Sequence, residues 1–142
     1  MFILSTGRAQ EKYYTWQKLD IIETSELTIV LLEATWCSIC KSAKREISTS
    51  TLLHETFGKK ISTYAINEHY EESIKWNDST YYFVPNGLNS GTHQFIEQFT
   101  QGQSILYPIF LIFNRDYKLS ALITGFKSES EWESILGSIL NH

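Results

Sequence analysis

The 142-residue chain has few of the residues that interrupt regular structure or staple small folds: two prolines, seven glycines and two cysteines. So few prolines and glycines argue against a Pro/Gly-rich linker between domains. Two cysteines close together cannot form the disulfide framework of a small secreted fold, which needs several pairs spread along the chain. The cysteine pair is therefore expected either to carry out chemistry or to bind a metal.

An excess of positive charge is also missing, as is any long apolar run. Twelve Lys and Arg residues against sixteen Asp and Glu give a net charge of -4, which argues against nucleic acid or an anionic bilayer as the main partner. Lys41, Lys44 and Arg45 do cluster at helical spacing, but a solvated helix face is favoured over an anion site. No stretch approaches the roughly 20 apolar residues of a membrane-spanning helix, so we expect no stable membrane insertion.

Apolar and aromatic side chains are abundant, at 42% and 14% of the chain, which suits a packed core. We expect one monomeric domain over residues 1–142, with residues 1–12 flexible. Those first residues lack the basic start and apolar stretch of a complete signal peptide, which as written favours the cytoplasm. Residues 1–4, followed by Ala9-Gln10, also resemble the tail of a trimmed leader, so a periplasmic or exported location stays open.

The hydrophobic pattern predicts an α/β fold around the cysteines. Residues 28–34 are apolar and β-branched, which is typical of a strand covered on both faces. Residues 60–67 form a second predicted strand, parallel to the first because a helix separates them. Along that helix Ile39, Ala43 and Ile47 mark one apolar face.

The elements that follow are also indicated by local signals. The Ser/Thr run 48–51 provides an N-cap for a second short helix, and Gly58 ends it. Residues 108–114 and 119–125 are separated by a polar turn and predict a hairpin. Ser128 and Glu131 form a capping box, which starts a final amphipathic helix.

Residues 68–107 are an insertion of about forty residues, too long for a plain loop in a compact domain. We expect this insertion to have structure of its own and to pack on the same core. Thr92 is placed to cap a helix that bears Phe95, Ile96 and Phe99 and stops at Gly102.

The chemistry is predicted to lie at Cys37-Ser38-Ile39-Cys40, where a parallel strand gives way to a helix. This spacing places two sulfurs one helical turn apart, close enough to bond to each other. Cys37 faces unpaired N–H groups and the positive end of the helix dipole, which favour the thiolate, so it is expected to be the nucleophile. Cys40 is expected to resolve the mixed disulfide. Ser38 and Ile39 bring no charge to lower the thiol pKa further, which favours a reductant over a strong oxidant.

A zinc site is the alternative for a Cys-X-X-Cys pair, but it needs two further ligands. The chain has no second cysteine pair, and its histidines lack a paired spacing. We therefore expect no metal, and a surface or loop position for each of the four histidines: His54, His69, His93 and His142.

The order of these parts resembles the thioredoxin superfamily: strand, cysteine motif preceded by Trp36, helix, strand, insertion, then Tyr107-Pro108 before a hairpin and a final helix. The resemblance spans roughly residues 15–140 and implies a thioredoxin fold, with a central mixed sheet flanked by helices. It implies that the Tyr107–Pro108 bond is cis, that Pro108 faces the cysteines, and that the Tyr107 backbone pairs with substrate peptide. From the residues alone, a trans proline that starts a strand is the alternative. Trp36 is expected to pack beside the sulfurs at the substrate site, although an ordinary core aromatic would give the same sequence.

The branch of the superfamily is suggested by two further features. The helix after the cysteines lacks the proline of ordinary thioredoxins, and residues 82–87 are similar to a segment of the bacterial thioredoxin-related branch. That branch includes the C-terminal domain of the transmembrane thiol reductase.

One position departs from the family pattern. Thioredoxins usually carry a buried Asp where this chain has Leu31, so the usual proton acceptor for Cys40 is missing. Glu33 lies on the same strand face by period-two alternation and is a candidate replacement. A structural ion pair is the alternative role for Glu33.

These observations together predict a thiol–disulfide oxidoreductase that reduces or isomerises disulfides in protein substrates. No bound cofactor is implied, and electrons are expected to pass to or from a thiol partner, such as a soluble flavoprotein or a membrane thiol relay. The alternative is a non-catalytic thioredoxin-fold module that binds a partner or senses redox state, because fold alone does not fix function.

Overall fold

A computed structural model describes residues 12–18, 21–22, 24–101 and 106–141. The predictions about residues 1–11 and about a helix stop at Gly102 fall outside these ranges. Within the described ranges, no helix combines the length and the apolar character that a membrane crossing needs.

The described residues form strands and helices that alternate along much of the chain. In order they are β1 (Gln17–Lys18), β2 (Ile21–Ile22), β3 (Leu27–Glu33), α1 (Ser38–Ser48), α2 (Thr51–Phe57), a 3-10 turn (Gly58–Lys60), β4 (Ile61–Asn67), β5 (Ile74–Trp76), β6 (Ser79–Tyr81), β7 (Phe83–Pro85), β8 (Gly91–His93), α3 (Gln94–Thr100), β9 (Ile109–Phe113), β10 (Leu119–Thr124) and α4 (Glu129–Leu140).

A five-stranded mixed sheet in the order β1-β4-β3-β9-β10 forms the centre of the fold. Strands β3 and β4 are parallel, with Leu27 opposite Ile61 and Glu33 opposite Asn67. Strand β9 runs antiparallel to both β3 and β10. The predicted parallel unit, the predicted hairpin and the central mixed sheet flanked by helices are therefore confirmed.

The two faces of the sheet bury separate apolar clusters, because successive side chains of each strand point to opposite faces. Leu27, Ile29 and Leu31 of β3 pack in one cluster with residues of α1, α2 and α4. Val30 and Leu32 pack in the other with residues of β5 and α3. Helix α1, which begins within the cysteine motif, is thus held against the first face.

The helix boundaries follow the local signals in the sequence. Ser50 caps α2 by accepting a hydrogen bond from the Leu53 N–H at 3.0 Å. That helix ends at Gly58, whose φ of 55° suits glycine. The capping box of Ser128 and Glu131 is present at the start of α4. These predicted starts and stops are confirmed.

Residues 68–101 contain β5 to β8 and α3, but the predicted cap of α3 is wrong. His93 rather than Thr92 is the N-cap, and its ring Nδ1 accepts the Phe95 N–H at 3.1 Å. His93 is only 3% exposed, so the expected surface position for this histidine is also wrong. The helix starts one residue later because His93 is still extended and paired with Phe83 in the β7–β8 ladder.

Candidate functional site

The cysteine pair lies at the junction between β3 and α1, at one end of the central sheet. After β3 ends at Glu33, the chain turns, and the Cys37 N–H donates to the Ala34 carbonyl at 3.1 Å. Cys37 is the N-cap of α1 and Cys40 lies in its first turn. Their sulfurs are joined in a disulfide, and their Cα atoms are 5.3 Å apart.

The helix start supplies the electrostatics of the pair. The Cys40 N–H donates to Cys37 Sγ at 3.1 Å, so the sulfur occupies the place of a capping oxygen. No acidic side chain lies in the first turn of the helix. In the reduced protein, this N–H group and the helix dipole favour a thiolate at Cys37 over one at Cys40.

The two cysteines differ slightly in how deeply they are buried. Cys37 is 6% exposed and Cys40 is fully buried, and the partly buried Tyr107 packs against both cysteines and Ala34. Cys37 is the more accessible residue of the pair. The disulfide therefore lies in a largely buried apolar cluster.

Two apolar side chains beside the pair face solvent. Trp36 is 72% exposed and Ile39 is 55% exposed, so the reading of Trp36 as a core aromatic is wrong. The prediction that Ile39 shares the buried face of the helix is also wrong. Cys40 takes that place because it stands three and seven residues before the buried Ala43 and Ile47.

Glu68, a residue that the sequence reading missed, holds the turn that carries Trp36. Its carboxylate accepts hydrogen bonds from the Thr35 N–H at 3.2 Å, from Thr35 Oγ1 at 3.1 Å and from Trp36 Nε1 at 3.2 Å. Its own N–H donates to the Glu33 carbonyl at 2.9 Å. Glu68 comes directly after β4, whose last residue, Asn67, lies opposite Glu33 of β3. The pairing of these two predicted strands is therefore the signal that could have placed Glu68 near the cysteines.

The carboxylate of Glu68 affects two titrations. Partial desolvation acts to raise its pKa, but the hydrogen bonds from Thr35 and Trp36, together with a smaller effect of the neighbouring His69, hold the pKa below its usual value. Burial raises the pKa of Tyr107, and the negative charge of Glu68 raises it further. The Tyr107 hydroxyl is therefore protonated at neutral pH.

Tyr107 and Pro108 come directly before β9, and Tyr107 packs against the apolar cluster that contains the cysteines. The Tyr107–Pro108 peptide bond is cis. The Tyr107 ring meets Trp36 edge to face at a centroid distance of 6.0 Å. The carbonyl of the buried Pro108 accepts the Gly125 N–H at 3.0 Å, which ties this segment to the loop after β10.

Glu33 lies at the end of β3 and points, by the strand alternation, to the face covered by α1. Its carboxylate is paired with Lys44 Nζ at 3.0 Å, and both side chains are mostly buried, at 18% and 29% exposed. The ion pair considered from the sequence is therefore present in the structure. The ion pair holds the Glu33 carboxylate against α1, the helix that carries both Lys44 and Cys40.

A metal centre would need a group of ligands that the site does not offer. Among the described residues, no three His, Cys, Asp or Glu side chains are grouped so as to hold a metal ion.

Comparisons with known proteins place the fold. No protein-family model and no curated protein sequence matches the chain. Solved structures do match. A thioredoxin-fold protein from Helicobacter pylori superposes with a TM-score of 0.61 at 16% identity, covering 85% of this chain and 73% of that one. A protein from Bacteroides thetaiotaomicron, described as a candidate disulphide isomerase, gives a TM-score of 0.60 at 14% identity, covering 93% and 97%. Thioredoxin f2 from Chlamydomonas reinhardtii gives 0.52 at 16% identity, covering 87% and 95%.

Similarity at this level of identity concerns the fold. The mixed sheet, its flanking helices and the position of the cysteine pair agree with it. The chain has a thioredoxin fold that carries a Cys-X-X-Cys pair at disulfide distance.

Proposed function

We propose that this thioredoxin-fold protein catalyses thiol–disulfide exchange on protein substrates through Cys37 and Cys40. The observation that carries the proposal is the position of Cys37. Its sulfur caps helix α1, accepts the Cys40 N–H at 3.1 Å and lies within bonding distance of the Cys40 sulfur. A nucleophile favoured as thiolate beside a buried partner thiol is the minimum machinery for this reaction.

The reaction proceeds in two exchanges. The Cys37 thiolate attacks one sulfur of a substrate disulfide, forms a mixed disulfide and releases the other substrate sulfur as a thiolate. Cys40 then loses its proton and attacks the Cys37 sulfur, which releases the second substrate thiolate. Substrate gains two electrons, and the enzyme is left with the Cys37–Cys40 disulfide. A dithiol partner protein returns the two electrons, and no bound cofactor takes part.

Glu33 is the proposed acceptor of the Cys40 proton. Its carboxylate lies against α1, where it is paired with Lys44. We expect Glu33→Gln to slow the decay of the mixed disulfide in a single-turnover assay and to change its pH profile. Lys44→Gln is the matched control, because it breaks the same ion pair and keeps the carboxylate. Equal effects of the two substitutions would assign Glu33 a structural role only.

The substrate surface is proposed to comprise Trp36, Tyr107 and Pro108. Trp36 offers an exposed apolar ring held in place by Glu68. Tyr107 contacts that ring edge to face and also packs against the cluster that contains both cysteines. Ile39 and Leu106, 55% and 75% exposed, extend the apolar rim. An extended peptide with apolar side chains near its disulfide fits such a surface.

Reduction or isomerisation is the proposed direction of the reaction. Neither Ser38 nor Ile39 adds a charge that lowers the thiol pKa of Cys37 as a strong oxidant requires. The similarity of residues 82–87 to the thioredoxin-related branch supports a membrane thiol relay as one source of electrons.

Turnover tests this proposal against a redox sensor that reacts once. With excess dithiothreitol, the wild-type chain should reduce insulin over many cycles, and Cys37→Ser should be inactive. In a separate reaction without dithiothreitol, reduced Cys40→Ser should accumulate a mixed disulfide with substrate, which mass spectrometry detects. If the wild-type chain stops after one equivalent, the catalytic role is wrong and the sensing or binding role replaces it.

A further inference from the structure

An open cleft of about 580 Å³ lies between residues 12–16 and the side of α1 that carries its basic residues. Four of the chain's twelve lysines and arginines line it: Lys12, Lys41, Lys44 and Arg45. Among the residues described, no Asp or Glu lines it, although the chain has sixteen of them. The cleft therefore concentrates positive charge on a protein of net charge -4.

Three of these cations have no charged partner within the described part of the chain. Lys44 is paired with Glu33, but no carboxylate lies within ion-pair distance of Lys12, Lys41 or Arg45. Arg45 stands in the last turn of α1, where the helix dipole favours a cation. Lys41 and Arg45 stand four residues apart on α1, a spacing at which like charges repel each other. A negatively charged ligand would compensate these charges.

The wall opposite α1 is fixed before any ligand arrives. Tyr14 is buried and its hydroxyl donates to the carbonyls of Leu53, at 3.2 Å, and Gly58, at 2.9 Å. Trp16 Nε1 donates to the Lys44 carbonyl at 3.3 Å. Because the wall is already ordered, binding would not have to offset the cost of ordering it.

We propose that this cleft binds a small molecule that carries at least two phosphate groups. Lysine and arginine donors in one cleft suit phosphate oxygens, and arginine can engage them bidentately. A single carboxylate would leave most of the cleft's charge uncompensated. The hydroxyl of Thr49 donates to the Arg45 carbonyl at 2.7 Å, so recognition depends on charge rather than on this hydroxyl. The volume is that of a small-molecule site.

From the sequence alone a solvated helix face was favoured for this cluster. The structure changes that interpretation because it adds Lys12 from a distant segment and a wall that turns the helix face into a cleft.

Calorimetric titration of the intact oxidised chain tests the proposal with three probes: inorganic pyrophosphate, ADP and a hexaglutamate peptide. The test variant is Lys12→Gln/Lys41→Gln/Arg45→Gln. The matched control is Lys59→Gln/Lys60→Gln/Lys75→Gln, which removes the same charge away from the cleft. Circular dichroism establishes that both variants are folded.

We expect pyrophosphate to bind the wild-type chain and the control alike. The cleft variant should bind about tenfold more weakly or worse, because one lost charged hydrogen bond is worth about that factor. Tighter binding of ADP than of pyrophosphate would assign a nucleoside part to the ligand, and equal binding would assign the phosphates alone. The proposal is wrong if neither phosphate compound binds, if both variants lose affinity equally, or if hexaglutamate binds more tightly than both.

Discussion

Reduction of the Cys37–Cys40 disulfide is expected to lower the stability of the folded protein. The two residues are three positions apart, so the bond closes a very short loop. In the chain-entropy treatment, a loop of this size constrains the unfolded chain by about 2 kcal/mol.

One structural term opposes this stabilisation. In the reduced protein the Cys37 thiolate lies at the N-terminus of α1 and accepts the Cys40 N–H, seen at 3.1 Å. A negative charge at a helix N-terminus is worth about 0.3–1 kcal/mol. The loop term is the larger of the two, so the oxidised form should be more stable by about 1 kcal/mol or more. A fold that is more stable when oxidised makes the folded pair a somewhat better reductant than the same pair in the unfolded chain. A free-energy difference of about 1.4 kcal/mol corresponds to about 30 mV in reduction potential.

Urea denaturation of both redox forms measures this difference. Each form is unfolded at pH 7, with and without dithiothreitol, and followed by far-UV circular dichroism. The Cys37→Ser/Cys40→Ser variant is the control, because its midpoint should not respond to the reductant. A reduced form that is more stable than the oxidised form would refute the reasoning. It would mean that thiolate stabilisation dominates and that the pair acts as an oxidant.

Three further outcomes follow from contacts elsewhere in the structure. Glu68→Ala should release the Trp36 indole and so shift its N–H resonance in the NMR spectrum. In the wild type, the same resonance should titrate with a pKa below the usual glutamate value. An unchanged spectrum of the variant would contradict the contact between Glu68 and Trp36. Burial lowers the pKa of His93 despite its hydrogen bond to a carbonyl, so this histidine binds a proton more readily in the unfolded chain than in the folded one. The stability of the folded protein should therefore fall as the pH drops below about 6.5, and urea titrations of His93→Gln should lack this pH dependence. Gly91→Ala places a Cβ 2.6 Å from the Val84 carbonyl, and overpacking of this kind costs about 1–3 kcal/mol in thermal unfolding; a neutral effect would contradict the close approach.

Local signals in the sequence were sufficient to predict features that depend only on residues within one element. The Ser128 and Glu131 capping box and the stop at Gly58 are examples, since each depends on residues a few positions apart. The redox pair itself belongs to this class, because Cys37 and Cys40 meet through one turn of helix.

Features that depend on distant segments could not be predicted in this way. Glu68 reaches Trp36 only because β4 pairs in register with β3. His93 is buried where the segment before β5 packs on it: its Nε2 lies 2.8 Å from the Glu72 carbonyl oxygen, and its ring lies 5.7 Å from the Tyr70 ring. The exposure of Ile39 was misjudged because Cys40, a residue of small volume, takes the core position on the helix.

The central claim is that Cys37 and Cys40 form a reversible two-electron couple. The most direct measurement is equilibration of the intact chain against a series of dithiothreitol ratios, followed by alkylation and mass spectrometry. We predict one transition between a form that takes up two alkyl groups and a form that takes up none, near the roughly -270 mV of thioredoxin. If no intramolecular disulfide forms at any ratio, the account of this protein as a thiol–disulfide oxidoreductase is contradicted.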